Sequence, residues 1–133
     1  KPARLTPGTV TGIGEDVSGI WLAGAGTGIG VPIPTRIANR LRGREFSSFD
    51  KFREAFWEEV ANDPDLAEQF IQGNIERMRN GLSPKARRQD WAGDRTSYEL
   101  HHVEHIANNG AVYDIDNLRV NTPKNHVENH RSG

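Results

Sequence analysis

The chain has 133 residues, 14.8 kDa and a mean hydropathy of −0.71, the size of one domain with a single modest core. No apolar run approaches the about 20 residues of a membrane helix, and with no cysteine there is no disulfide, thiol nucleophile or Cys-based zinc site, so any metal must be held by His, Asp or Glu. A net charge of −1 argues against nucleic-acid binding through the whole surface, but the charge is uneven: residues 45–68 carry eight acids and two bases, whereas residues 77–95 carry six bases against Asp90 and Asp94.

Residues 1–30, rich in Gly and Thr, read as coil with few strand signals. Gly24-x-Gly26 is followed by Ile29 where a dinucleotide loop needs Gly, and no Gly-Lys-Ser/Thr follows, so neither phosphate-loop pattern is met. A short helix is expected over about 35–42, with Ile37 and Leu41 on one face. Ser47 or Ser48 can cap a helix over about 49–61, whose Phe49, Phe52, Phe56 and Val60 form an apolar stripe widened by Trp57. Asp63-Pro64 starts a short helix through about Phe70. Residues 74–80 read as a fourth helix ended by Gly81, and Ser83-Pro84 as a brief turn or helix.

The last third changes character. Residues 97–103 and 111–120 read as two strands, with turn residues Asn108-Asn109-Gly110 between them. Thr122-Pro123 then supplies an N-cap and first-turn proline for a helix to about Arg131. The fold class expected is mixed α/β (α+β), mostly helical at first, with a strand-loop-strand-helix end. The start at Lys1 rather than Met suggests a piece of a longer protein.

All five histidines fall within residues 101–130. His126 and His130, four apart on the expected helix, project from one face and can chelate a divalent ion. His101 and His102, adjacent on a strand, point to opposite sides of the pleat, which suits a metal ligand beside a general base. His101 and His105 are a competing chelating pair if that stretch is helical; the strand reading leaves His105 as a loop or surface histidine. Neutral imidazoles prefer zinc, nickel or cobalt, whereas magnesium favours oxygen.

Glu99-Leu100-His101-His102, Val112-Tyr113-Asp114, Asp116-Asn117-Leu118-Arg119-Val120, Thr122-Pro123-Lys124 and His126-x-x-x-His130-Arg131 resemble the HNH nuclease motif of the bacteriocin DNases, the cytotoxic domains of nuclease colicins and S-type pyocins. Trp21-Leu22, Pro32-Ile33-Pro34, Phe56-Trp57-Glu58-Glu59-Val60 and Asp63-Pro64-Asp65-Leu66 resemble the same family, so the likeness covers nearly the whole chain.

The resemblance implies a ββα-metal motif at about 97–131 within one nuclease domain, the C-terminal part of a larger bacteriocin. By position, His101, His126 and His130 would ligate one divalent cation, with magnesium or manganese also open as the cellular ion. His102 would be the general base. Asn117 would hold the loop between the strands, Arg95 and Glu99 would support the site, and Arg4 would reach the phosphate. Arg53 and Lys124 are further phosphate candidates on charge alone.

The expected activity is hydrolysis of double-stranded DNA with little sequence preference, by a monomer released from one bacterium and acting in the cytoplasm of another. The alternatives are an RNA-cleaving toxin domain and a non-catalytic zinc-stabilised binding module. An immunity protein would dock around residues 71–97. There Lys85 follows Pro84 where the colicin members carry an aromatic anchor, and the colicin members are strongly basic where this chain is not.

Overall fold

The computed structural model describes residues 2–106 and 111–132; the Asn108-Asn109-Gly110 turn expected from the sequence lies outside them. The helices are α1 (Thr35–Leu41), α2 (Phe49–Asn62), α3 (Pro64–Ala67), α4 (Gln72–Arg79) and α5 (Pro123–Ser132). Two small antiparallel sheets pair β1 (Gly8–Thr9) with β2 (Glu45–Phe46) and β3 (Glu99–His102) with β4 (Leu118–Asn121). No described helix is long and apolar enough to cross a membrane.

α2 is the spine of the core. Ser48 Oγ accepts from Lys51 N at 3.3 Å and caps its start. Phe49, Phe52, Phe56, Trp57 and Val60 are fully buried, and Trp21 packs on both Phe56 and Trp57. Burying each of these large side chains contributes about 1.5–3 kcal/mol. Asp63, itself buried, caps α3 through Asp65 N and Leu66 N, and its charge is met by Arg36 Nε at 2.7 Å.

Several boundaries differ from expectation. The N-terminal coil contains β1, and the 111–120 segment is a strand only from Leu118. The reason lies in Asp114, whose carboxylate accepts from Asp116 N at 3.0 Å and caps a 3-10 turn over Ile115–Asn117. The preceding backbone pairs instead with the N-terminal segment, through Thr11 N to Tyr113 O and Ile115 N to Thr11 O. β3 is correspondingly short. The helix from Pro64 stops at Ala67, and α4 starts at Gln72 rather than 74. Ser83-Pro84 is not helical; Pro84 and Ala86 pair with Tyr98 and Thr96, and a 3-10 turn follows at Arg88–Asp90.

Gly30 joins the N-terminal half to the second sheet. Its φ is +94°, and a Cβ there would meet Val120 O at 2.4 Å, so only glycine fits without a shift. Val31 then exchanges both backbone hydrogen bonds with Val120, on the edge of β4 away from β3.

Candidate active site

β3, β4 and α5 bring the histidines together. In β3, His101 lies opposite Arg119 and His102 opposite Leu118 of β4. α5 starts at the end of β4, with Thr122 Oγ1 accepting from Asn125 N at 3.1 Å, and carries His126 and His130 one turn apart on the same face. The rings of His101 and His126 stand 5.0 Å apart, and those of His126 and His130 4.6 Å apart. A cleft of about 310 Å³ is lined by His101, His102, His105, His126 and His130, with Ile29 and Val103 at its rim.

Each ring is oriented by one nitrogen. Ile29 O can only accept, so His101 donates to it through Nε2 at 3.1 Å and keeps a bare Nδ1. His126 Nδ1 donates to Glu99 Oε1 at 2.7 Å. Its Nε2 lone pair is thereby aimed at His130 Nε2, 2.9 Å away. Arg95 donates to both oxygens of Glu99, through Nε at 2.8 Å and through Nη2. Burial alone would raise the Glu99 pKa, but the hydrogen bonds and charges of His126 and Arg95 outweigh it and hold the carboxyl at about 2.

His102 is held differently. It is nearly buried, donates through Nε2 to Val112 O at 2.9 Å and packs on Phe49 with ring centroids 4.8 Å apart. The Arg4 guanidinium covers the same Phe49 ring at 4.7 Å and lies 3.9 Å from Asp50. Burial, the largest influence, depresses the His102 pKa; the Val112 hydrogen bond opposes this, and the charges of Arg4 and His105 add to the lowering. His102 is thus neutral near pH 7, with Nδ1 free of the backbone bond. Burial likewise lowers His101 and His130.

Asn117 Oδ1 accepts from Glu104 N at 2.8 Å, and its Nδ2 donates to Glu104 O and Ala111 O at 3.0 and 3.1 Å. It therefore ties Glu104 to Ala111 within the connection between β3 and β4. His105 is exposed in a loop, as expected, but its ring meets His130 at 5.6 Å. Arg53 is paired with Asp50 at 3.0 Å, and Lys124 is exposed in the first turn of α5. Among the described residues, no three acidic, histidine or cysteine side chains converge as a formed metal cluster. The pair that does converge is His126 with His130, and His101 flanks it.

Sequence reasoning missed Phe49 as the floor beneath His102 and the carbonyls of Ile29 and Val112. It also passed over Asn121 at the end of β4 and Asn125 and Asn129 on α5, of which the last two, four apart, are a readable signal of one helix face. A larger groove of about 760 Å³ lies apart from the histidines, lined by Leu22, Phe70, Ile71, Asn74, Lys85 and Tyr98 among others.

The Colicin/Pyocin-S2 DNase domain model matches residues 8–131. Colicin-E7 of Escherichia coli is 54% identical over 128 residues, which cover 96% of this chain and 22% of that protein. Pyocin-S2 of Pseudomonas aeruginosa is 48% identical over all of this chain and 19% of its own length. The chain thus spans about a fifth of these curated relatives. The DNase of the pyocin AP41 DNase-immunity complex superposes with a TM-score of 0.93 at 46% identity, covering 96% of this chain and 99% of that one. The mutant nuclease domain of pyocin S8, solved with its cognate immunity protein, superposes at 0.91 with 55% identity, covering 92% and 98%. The chain belongs to the colicin and pyocin DNase domain family and is a nuclease domain.

Proposed function

We propose that this domain is a metal-dependent DNA endonuclease with little sequence preference, the killing part of a bacteriocin released by one bacterium to act in the cytoplasm of another. The observation that carries the reading is the division among the imidazoles of one cleft, in which His105 is the exposed loop residue. His101, His126 and His130 belong to or flank the convergent group around His126, whereas His102 is buried on Phe49 and held by its own bond to Val112 O.

His101, His126 and His130 would hold one divalent cation. The donor chemistry fits: each of His101 and His126 spends one nitrogen on a protein acceptor and keeps the other bare, the usual arrangement of a metal-binding histidine. An all-imidazole set favours zinc, nickel or cobalt, with magnesium or manganese open as the working ion. When bound, the cation supplies Lewis acidity to a phosphoryl oxygen and to the departing 3′ oxygen.

His102 Nδ1 takes a proton from water as its oxygen attacks phosphorus and the bond to the 3′ oxygen breaks. Val112 O fixes the tautomer that leaves Nδ1 available. Arg4 and Arg95 add positive charge where the phosphoryl oxygens gain negative charge. Glu99 orients His126, and Asn117 holds the loop behind the base. The ligand for the surface around residues 71–97 is an immunity protein, a reading supported by the immunity-protein complexes of the structural neighbours.

Plasmid nicking with and without chelator tests the reading, wild type beside His102→Ala. Chelator-sensitive nicking lost in the variant is expected. Cleavage of purified RNA with intact plasmid would move the substrate class, and no turnover with zinc still bound would leave a binding module.

A further inference from the structure

Asn121 at the end of β4 and Asn125 and Asn129 on α5 follow one another at helical spacing, and all three amides face the loop from Ala25 to Ile29. Asn121 is fully buried and Asn125 nearly so. Asn125 Nδ2 lies 2.6 Å from Asn121 Oδ1, 3.1 Å from Gly28 O and 3.2 Å from Ala25 O. Asn121 Nδ2 donates to Ile29 O at 3.0 Å, and Asn129 Nδ2 to Gly28 O at 2.7 Å. Ile29 O is the same atom that accepts from His101 Nε2.

The loop carbonyls are otherwise an unlikely anchor for a functional ring. Four of the seven residues from Gly24 to Gly30 are glycine, and beyond the buried Ala25 the segment is exposed through Ile29; a Cβ at Gly28 would meet nothing within 4 Å. A carbonyl on so permissive a backbone points where its hydrogen-bond partners hold it. For Ile29 O that side-chain partner is Asn121 at the end of β4, and for Ala25 O and Gly28 O the partners are Asn125 and Asn129 of α5, the helix that carries His126 and His130. The amides therefore couple two faces of the cleft: α5 holds Asn121 through Asn125, Asn121 holds the Ile29 carbonyl, and that carbonyl holds the ring of His101.

We infer that Asn121, Asn125 and Asn129 are positioning residues, an amide ladder that determines which nitrogen of His101 faces the cleft. The inference rests on the reading of His101 as a cation ligand, because its consequence for binding runs through that ring. With the ladder intact, Ile29 O holds the proton of His101 on Nε2 and Nδ1 is bare. With it broken, Ile29 O loses the amide that aims it and the His101 bond loosens, so that His101 samples the other tautomer, whose protonated Nδ1 cannot bind a cation.

The test uses the metal-free domain and two variants. Asn125→Ala removes the bonds to Ala25 O, Gly28 O and Asn121 Oδ1. Asn121→Asp keeps the shape but sets an oxygen against Ile29 O. Long-range nitrogen–proton NMR reads the His101 tautomer directly, and calorimetry with zinc alone reads affinity. A single Nε2–H tautomer is expected in the wild type. Mixed tautomers and zinc affinity weaker by about ten- to a hundredfold are expected in the variants. If either variant fails to fold, Asn129→Ala, which takes one amide from the less buried end, gives the same readouts. A wild-type tautomer and wild-type affinity in the folded variants would overturn the ladder. His126→Ala is the control for the metal reading: unchanged zinc affinity there would remove that reading, while the tautomer spectrum still decides the ladder.

Discussion

His126 Nδ1 stands 2.7 Å from Glu99 Oε1, and Arg95 grips the same carboxylate through two nitrogens. One carboxylate thus orients a ring on α5 from a position on β3, and its ionised form is needed to do so.

Acid stability follows from this triad. The Glu99 pKa is held at about 2 in the folded chain against an ordinary 4.5, so its contribution is fully present above 4.5 and is lost as pH falls from there to about 2. Thermal melts of the metal-free domain across that window are expected to fall more steeply for wild type than for Glu99→Gln. Parallel curves would contradict the assignment.

His102→Ala should lower nicking by about 10²–10⁴-fold, the range of a positioned general base. The variant should stay folded, with a loss of about 1–3 kcal/mol from the unpaired Val112 carbonyl. Zinc binding should be unchanged by calorimetry. Retained activity would remove His102 as the base.

Zinc should raise the melting temperature of the wild-type domain by several degrees, since a ligand at a hundredfold excess over its Kd adds about 2.7 kcal/mol. Chelation should reverse the shift. His126→Ala and His130→Ala should lose most of the shift and most of the nicking together; loss of nicking with a full zinc shift would separate these rings from the cation.

Asn117→Ala should speed hydrogen exchange at the Glu104 amide, which donates to the Asn117 side chain at 2.8 Å. It should cost about 1–3 kcal/mol, because two carbonyls and one N–H lose their partner. Unaltered exchange at Glu104 would show that the loop is held without it.

Much of the site was legible because histidine spacing maps onto a helix face and a strand pleat in simple ways. The Phe49 to Val60 stripe and the Thr122-Pro123 helix start were equally plain, since each side chain acts locally. What was hidden depends on the backbone or on distant partners. Ile29 and Val112 serve through carbonyl oxygens, which every residue type possesses. Arg4 lies on Phe49, a contact no spacing encodes. The shortened second strand reflects pairing of Tyr113 and Ile115 with Thr11, a competition decided by the tertiary fold. β1 and β2, two residues each, are too short for alternation to register.

The exchange of hydrogen bonds between Val31 and Val120 has a consequence for how much of the chain the site requires. A fragment cut to residues 97–131 would keep every letter of the histidine motif and discard the walls: the Ile29 carbonyl, the Phe49 floor and the Arg4 cation all come from the first 50 residues. The smallest unit that keeps the site intact therefore runs from Arg4 through α5.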